Sequence, residues 1–454
     1  MKPIELAERA LEAAPPGDGA LARVISERSL LMRFARSAPT QSTAVEDLSV
    51  EITVLRDGRL GTATTNGTEP GDLAGCAKAA ETAAEAAART GAPGGYPGFP
   101  GESAPRAHDG FDPDTARIDA EAGGAAMRAA FTAAERAGVE AHGVWSAGAV
   151  EHALVSSAGA HMTDRVTDAF MKSTAIAPDT GRSGYATGAG ISTAAIDAEA
   201  VAERSSSKAA ATGDPARLEP GVYPVVLEPD AMGELLMWLG WMAFDGLAYA
   251  EERSAVAGRL GQRVVAPGIN LSDSPRFAST LPRAFDAEGT PKAPIPLIQD
   301  GVAHRVAHDV RSAARAGDGA VSTGHASAPG GTEWGIWPSN LVLIGGGAAD
   351  SQELCAGIER GIYVTRLWYV NPVRPRETLV TGVTRDGTFL IEDGRITRPL
   401  EDMRLTDSVF DMLGRASGLG AEPVLVSDGE FYGRRFASGV VTPPVRVDAV
   451  RFSA

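Results

Sequence analysis

Cysteine is scarce in this sequence, whose 454 residues include only Cys76 and Cys355, far apart in the chain. A Cys-x-x-Cys metal or redox pair and a disulfide-stapled small fold are therefore excluded. Long hydrophobic runs are also missing, because the longest strongly apolar run, 235–244, is about half of the roughly 20 residues that a membrane span needs. Glu5 and Glu8 interrupt the apolar core that a signal peptide requires. We expect a soluble cytoplasmic protein with no membrane segment.

Positive charge is the second deficit, since 42 Lys and Arg stand against 58 Asp and Glu, a formal net charge of −16. A surface that binds nucleic acid needs clustered Lys and Arg, so this class of partner is disfavoured. Hydrophobic residues make up 44% and charged residues 22% of the chain, which is typical of a packed globular protein and excludes disorder. The length suits two or three domains.

Periodicity outlines the secondary structure. Helical spacing of apolar residues predicts helices over 4–14, 73–90, 119–138 and 195–211. Alternating apolar and polar residues over 21–37 predict two short strands, and two β-branched runs around Asp57-Gly58 predict a hairpin. Further hairpin turns are predicted where Asp-Gly pairs occur in the strand-rich second half, at Asp300, Asp386 and Asp393.

This order of elements predicts an α+β fold rather than a doubly wound sheet. The break at Gly213-Asp214-Pro215 predicts a boundary between an N-terminal α+β domain, 1–212, and a β-rich C-terminal domain, 213–454. The second domain is expected to hold a mixed or antiparallel sheet and a buried helix that begins at Pro229. That helix is apolar nearly all round and has no ionisable residue between Glu234 and Asp245, so core is its plain interpretation.

Two ionisable pairs are candidates for chemistry. His304 and His308 have the spacing of a zinc-binding helix, but the apolar alternation around them indicates a strand, where residues four apart lie about 13 Å apart. Solvated or hydrogen-bonded histidines are favoured. Asp286 and Glu288 have the chemistry of an acid and a base, yet their surroundings indicate a turn.

Two glycine-rich stretches are weaker candidates. Gly345-Gly346-Gly347 stands between a strand and the predicted helix over 348–361, where backbone N–H groups could cradle an anion. No Lys-Ser/Thr pair follows, so a tight strand-to-helix turn is favoured. Gly188-Ala189-Gly190 has Thr193 where a dinucleotide fingerprint needs Gly or Ala, and it is rejected.

The second half of the chain resembles the TldD/PmbA family, also called TldD/TldE, of paired peptidase subunits. The resemblance is carried by EPGVYPVVLEPDAMGELLMWL at 219–239, by 285–317 with Ser322-Thr323-Gly324, by 361–372 and by 387–413. The N-terminal strands and Ala-rich helices are similar to the first domain of the family, though less specifically. Thr381-Gly382 is retained from a longer family stretch whose other residues are replaced.

In the family's catalytic TldD subunit, the helix that corresponds to the one after Pro229 here carries His-Glu-x-x-x-His. Its histidines bind zinc and its Glu is the general base. Met237, Trp238 and Met242 occupy these three positions here. Thioethers and an indole neither hold an activated zinc-bound water nor accept its proton. The family's further cysteine ligand near the C-terminus is also missing, because no cysteine occurs around Phe431.

The resemblance therefore implies a metal-free TldE/PmbA-like subunit with no catalytic residue, metal or cofactor of its own. It implies a heterodimer with a TldD-like zinc metallopeptidase that carries the zinc, forming a cleft for proteolysis of small or unfolded peptides. Two alternatives stay open. One is a stand-alone binding or assembly protein, as a homodimer. The other is a subunit of a peptide-tailoring amide hydrolase in a specialised pathway.

Overall fold

The computed structural model describes residues 1–90, 95–317, 319–331, 335–347, 350–429 and 433–453. Within these ranges the helices are α1 (Pro3–Glu12), α2 (Pro70–Arg89), α3 (Ala120–Ala137), α4 (Ala198–Ala209), α5 (Pro229–Phe244), α6 (Gly246–Ala250), α7 (Val310–Ala316), α8 (Ser351–Cys355) and α9 (Val409–Gly414). Short 3-10 turns occupy Thr115–Arg117, Thr193–Ala195 and Pro375–Glu377. In the part of the chain that is described, no helix is both long and apolar enough to cross a membrane.

The first half forms one antiparallel sheet in the spatial order β3-β2-β1-β4-β5-β6. Its strands are β1 (Gly19–Ala35), β2 (Ala38–Arg56), β3 (Arg59–Thr65), β4 (Glu140–Ser156), β5 (His161–Ile176) and β6 (Ser183–Gly190). Helices α1 to α4 pack on this sheet, because small apolar residues such as Ala77, Ala80, Ala130 and Ala134 allow close approach.

Alternation along the strands gives this sheet two buried faces. One set of side chains packs under the helices, including Ala22, Val24, Trp145, Ala153 and Met171. The neighbouring positions face the second half of the chain, and they include apolar and charged side chains: Leu21, Arg23, Glu27, His152, Asp168 and Lys172. The fold thus brings ionisable groups of the N-terminal sheet against the C-terminal half.

The second half contains two further sheets. One has the order β10-β9-β8-β11-β18-β17, with β11 and β18 parallel. The other closes on itself, because β12, β7, β19, β15 and β13 pair successively and β13 pairs back to β12. The strands are β7 (Gly221–Leu227), β8 (Leu271–Asp273), β9 (Ile295–Gln299), β10 (Val302–Ala303), β11 (Asn340–Leu343), β12 (Arg360–Arg374), β13 (Leu379–Glu392), β14 (Arg395–Pro399), β15 (Arg404–Ser408), β16 (Ala416–Leu419), β17 (Val424–Val426), β18 (Gly439–Thr442) and β19 (Val445–Ser453).

The predicted mixed α+β fold is confirmed, and the four N-terminal helices lie where the periodicity predicts them, within a few residues. The prediction of two short strands over 21–37 is wrong, since β1 is one strand of 17 residues. Glu27, in the middle of β1, accepts from the Ser29 hydroxyl at 2.6 Å and from the backbone N–H of Arg435 at 2.9 Å, so the strand continues through this polar position. The predicted boundary at residue 213 lies between α4 and β7, and the two-domain division stays a prediction.

Three of the four Asp-Gly hairpin predictions are confirmed, at Asp57, Asp300 and Asp393. The prediction at Asp386 is wrong, because this residue lies inside β13, where the register with β12 shifts. Asp386 and Gly387 have φ of 56° and 121°, so the positive φ that suits a turn is used in a bulge instead.

Candidate functional site

Helix α5 lies at the centre of the candidate site. Pro229 occupies its first turn and Glu228 precedes it in extended conformation, directly after β7. Most of its side chains, including Leu235, Leu236 and Met242, are buried in the largest core cluster. The remaining face carries Asp230, Gly233, Glu234 and Met237, which recur at the spacing of one helical side.

This face of α5 lines a cleft of about 650 Å³, here called the helix chamber. The opposite wall comes from the N-terminal sheet, through Phe170, Lys172 and Tyr185. β12 and the segments 426–428 and 434–440 complete the lining. The helix chamber is therefore assembled from both halves of the chain, which is a common location for a binding cleft.

The ionisable groups of the helix chamber are strongly affected by burial. Burial raises the pKa of Glu234, which the Trp238 indole N–H partly opposes by donating to Oε1 at 3.2 Å. Burial also raises the pKa of Asp230, which accepts from the Thr187 hydroxyl at 2.7 Å. Burial lowers the pKa of Lys172, against the attraction of Asp428. The protonation of these three side chains therefore depends on whether water or another group occupies the helix chamber.

A second cavity of about 410 Å³ adjoins the first, and we call it the arginine chamber. Trp337, Ser339, Arg434, Phe436 and Ser438 line both cavities, so these residues form the shared wall. The rest of the lining comes from β1 and β4 on one side and from the loops of the C-terminal half on the other: Arg23, Ile25, Val150, His152, Arg283, Phe285, Asp286, Ala287, Lys292, Gly324, His325, Ala326, Ser327 and Arg435.

A buried polar cluster borders the arginine chamber. The Lys292 ammonium donates to the Ser339 hydroxyl at 3.1 Å and lies 3.9 Å from the Asp273 carboxylate. Asp273 also lies 3.3 Å from His325 Nε2 and accepts from the backbone N–H of Asn340 at 2.9 Å. Desolvation acts against ionised Asp273, yet the neighbouring Lys292 and His325 outweigh it and lower the pKa of this carboxyl.

Met237, Trp238 and Met242, which the sequence resemblance aligns with His-Glu-x-x-x-His, differ in their environment. Met237 is half-buried and lines the helix chamber. Trp238 is half-buried, packs on the core and stacks edge-on against Trp241 at 5.9 Å. Met242 is only 2% exposed and belongs to the core cluster. Of these three side chains, the Met237 thioether lines the helix chamber.

The histidine pair lies outside these cavities. His304 is exposed, whereas His308 is buried with Nδ1 at 3.1 Å from the Ser312 hydroxyl. The prediction of solvated or hydrogen-bonded histidines is confirmed, but the predicted strand ends at Ala303, before both of them. Within the described ranges, no three His, Cys, Asp or Glu side chains are grouped so that they could hold a metal ion.

The turn predicted at Asp286 and Glu288 is confirmed. Asp286 accepts from the backbone N–H groups of Glu288, Thr290 and Ala326 at 2.8–3.0 Å. Glu288 accepts from those of Val310 and Gly330, each at 2.9 Å. Both carboxyls therefore hold loops together, and Asp286 also lines the arginine chamber.

The Gly345-Gly346-Gly347 turn packs against residues 419–421, at the end of β16. Gly346 donates to the Gly420 carbonyl at 2.8 Å, and a side chain at either Gly345 or Gly346 would collide with residues 419–421. Helix α8 is confined to Ser351–Cys355, later and shorter than the predicted helix over 348–361, whose first two residues lie outside the described ranges. The position of Phe431 also lies outside them.

Sequence reasoning missed Arg283 and Arg435, which are among the most deeply buried cations of the site. Arg435 donates to both Asp168 oxygens, at 2.8 and 2.6 Å, across 267 positions in the chain. Arg283 lies 3.8 Å from the centre of the Phe436 ring. Only the position of Arg283, two residues before the 285–317 block, gave a sequence signal.

Comparison with known proteins agrees with this architecture. Residues 220–454 match the model of the PmbA/TldA metallopeptidase C-terminal domain, and residues 20–87 match that of its domain 1. A protein named metalloprotease from Methanothermobacter thermautotrophicus is 24% identical over 204 residues, 44% of this chain. The chain spans 43% of the length of that curated relative.

Solved structures share the fold over nearly the whole chain. TldE from Thermococcus kodakarensis matches with a TM-score of 0.85 at 19% identity, over 99% of both chains. A Thermotoga maritima protein, described as a candidate modulator of a DNA gyrase, matches with a TM-score of 0.81 at 20% identity, over 96% of both chains. Because the C-terminal family model alone covers more than half of its residues, this chain belongs to the TldD/PmbA metallopeptidase family.

Proposed function

We propose that this protein is a metal-free TldE/PmbA-like subunit that pairs with a TldD-like zinc metallopeptidase and completes a cleft in which small or unfolded peptides are cleaved. The observation that carries the proposal is the cleft-facing side of α5. Met237 lines the helix chamber, and the sequence resemblance aligns it with the first zinc-binding histidine of the catalytic subunit, while the chain keeps the fold of the solved TldE structure.

Zinc does not fit the three substituted positions. Zinc in hydrolases is held by imidazole, carboxylate or thiolate groups, and its bound water needs a base. Met237 and Met242 offer thioethers, and the Trp238 indole carries an N–H that already donates to Glu234. The zinc of the proposed complex would therefore be supplied by the partner, and this chain would contribute binding surface and exclude water.

The rim of the helix chamber has the properties of a surface that a partner covers. Trp368 and Tyr369 line the chamber, yet they are 44% and 76% exposed, and Val373 further along β12 is 50% exposed. Tyr369 has a φ of 56° within the bulge between Trp368 and Asn371. A non-glycine residue in this conformation is uncommon and is typical of functional surfaces. A subunit that bound here would close the chamber.

The alternative of a homodimer would use the same exposed surface. Size-exclusion chromatography with light scattering, on this chain alone and mixed with a TldD-like chain from the same source, separates the two. The proposal expects a mixed complex that contains both chains. A stable homodimer that does not bind the TldD-like chain would contradict the proposed function.

Substitutions test which surface pairs. We expect Trp368→Ser combined with Tyr369→Ser to weaken the mixed complex at least about tenfold, because aromatic side chains dominate interface energies. Val45→Ser removes another exposed apolar side chain, on β2, and is the matched control that leaves pairing unchanged. Equal effects of the two changes would place the interface elsewhere.

A further inference from the structure

The arginine chamber has an excess of positive charge, and all of its basic side chains except Arg434 are buried. Its lining includes five basic side chains, Arg23, Arg283, Lys292, Arg434 and Arg435, against a single carboxylate, Asp286. Three of the cations have acidic partners behind the lining. Arg23 lies 2.8 Å from Glu51, Arg435 binds both oxygens of Asp168, and Lys292 lies 3.9 Å from Asp273.

Arg283 differs from these three because no carboxylate of the described residues lies within 4.0 Å of it, although it is only 9% exposed. Its Nη2 donates to the Ala437 carbonyl at 3.2 Å, and its Nε has no hydrogen-bond partner within the described part of the chain. A buried guanidinium without an acidic partner is strongly unfavourable, and such groups are ordinarily paired.

The acids nearest to Arg283 are already engaged. Asp164 and Asp168 attract its charge from a distance. Asp164 lies 2.8 Å from His108 Nε2 and accepts from the backbone N–H of Ala284 at 2.9 Å. Asp168 binds Arg435. Among the described residues, the surroundings of Arg283 therefore supply no unengaged carboxylate, and the adjoining cavity has room for one.

We propose that the arginine chamber binds a carboxylate of the peptide substrate, with Arg283 as its paired cation. A guanidinium binds a carboxylate through two parallel N–H donors, which gives both affinity and orientation. Ile25, Val150, Phe285 and Phe436 line the same cavity, so an apolar side chain next to the carboxylate fits this environment.

The shared wall between the chambers fixes the direction of the peptide. A chain whose carboxylate lies beside Arg283 passes Trp337, Ser339 and Phe436 and enters the helix chamber alongside Met237. The class of ligand is thus a short peptide with a free C-terminal carboxylate and an apolar last residue. This inference rests on the proposed role in peptide binding, but not on pairing with a catalytic subunit.

Fluorescence anisotropy with a labelled apolar hexapeptide tests the site. The peptide is titrated as the free acid and as the C-terminal amide, with chelator present, into this chain alone and into its mixture with the TldD-like chain. We expect the free acid to bind at least about tenfold more tightly, the effect of one charge-assisted hydrogen-bonded pair. Arg283→Gln should reduce the free acid to the affinity of the amide, and Arg283→Lys should retain part of the preference.

Arg259→Gln is the matched control, because Arg259 also lies over an aromatic ring, that of Phe410 at 5.6 Å, but outside both chambers. A third peptide, amidated and carrying an internal Glu, identifies the source of the carboxylate. Tight binding of this peptide that Arg283→Gln abolishes supports a side-chain carboxylate, whereas tight binding of the free acid alone supports the C-terminus.

Equal affinity for acid and amide in the unmodified protein would overturn the inference, and so would a preference that survives Arg283→Gln. The first outcome does not depend on how well a variant folds, since it uses the unmodified chain, and the second is scored on a variant that still binds peptide. A chain that prefers the free acid but never joins a TldD-like chain would uphold the carboxylate site and refute the proposed function. A chain that pairs with the TldD-like chain but does not prefer the free-acid peptide would refute the carboxylate site and leave the proposed function standing.

Discussion

The ion pair between Arg435 and Asp168 joins the C-terminal half to the N-terminal sheet, and Asp168→Asn tests its importance. Arg435 is 3% and Asp168 4% exposed, and two N–H groups of the guanidinium donate to the two carboxylate oxygens. Gly148 makes room for this contact, because a Cβ there would lie 2.3 Å from Arg435 Nε.

Asparagine at position 168 keeps the shape of the side chain but removes its charge, leaving a buried guanidinium without this carboxylate. Removing one partner of a buried ion pair destabilises a protein by about 3–5 kcal/mol. We expect the free energy of unfolding, measured by urea titration of tryptophan fluorescence, to fall by that amount. The arginine chamber should also open, because Arg435 forms part of its lining.

Glu203→Gln is the matched control. Arg136 and Glu203 form an ion pair of similar length, 2.8 Å, but their side chains are 65% and 58% exposed. A pair in water contributes about 0–1 kcal/mol, so this change should be nearly neutral. If Asp168→Asn destabilises no more than Glu203→Gln, the two halves are not held together by the buried pair.

Three further predictions concern other parts of the molecule. Gly61→Ala places a Cβ 2.1 Å from the Ala84 nitrogen, so we expect it to lower the free energy of unfolding, measured by urea titration, by about 1–3 kcal/mol. Gly75→Ala on α2 meets nothing within 4 Å and should raise the free energy of unfolding by about 0.5–1 kcal/mol. Equal effects of the two changes would contradict the tight packing of α2 on β3. Burial, with Asp286 and Asp309, raises the pKa of Glu288, so the folded state keeps this proton above pH 4.5, where the unfolded carboxyl loses it. Stability should therefore decrease as pH rises above that value, and Glu288→Gln should flatten the decrease measured by urea titration at several pH values; an unchanged slope would contradict the assignment. Cys76 and Cys355 are buried, and burial raises the pKa of both thiols, that of Cys355 to about 11. A thiol reagent should therefore label them only as the protein unfolds. Rapid labelling of the native protein would contradict their burial.

Sequence periodicity and turn motifs predict those helices and turns that depend on residues close together in the chain. Helix α5 was predicted as buried because apolar residues surround it, and its core positions are buried as expected. The Asp-Gly pairs predict hairpin turns because such a turn needs residues with positive φ, which these pairs adopt readily. The prediction at Asp386 is wrong because a β-bulge uses the same positive φ inside a strand.

The arginine chamber could not be predicted, since its contacts join residues far apart in sequence. Glu27 lies in the middle of β1, and one of its partners is the backbone N–H of Arg435, 408 positions later. No periodicity encodes such a contact. For the same reason, no local pattern indicates that Arg283 is buried without a carboxylate beside it.

Peptide hydrolysis by the separated and mixed subunits tests the central claim most directly. This chain and a TldD-like chain are purified apart, and cleavage of an unfolded peptide is followed for each chain and for the equimolar mixture. We expect this chain alone to be inactive and to carry substoichiometric zinc. We also expect the mixture to cleave the peptide and a chelator to abolish the cleavage. Hydrolysis by this chain alone that survives the chelator would contradict the central claim.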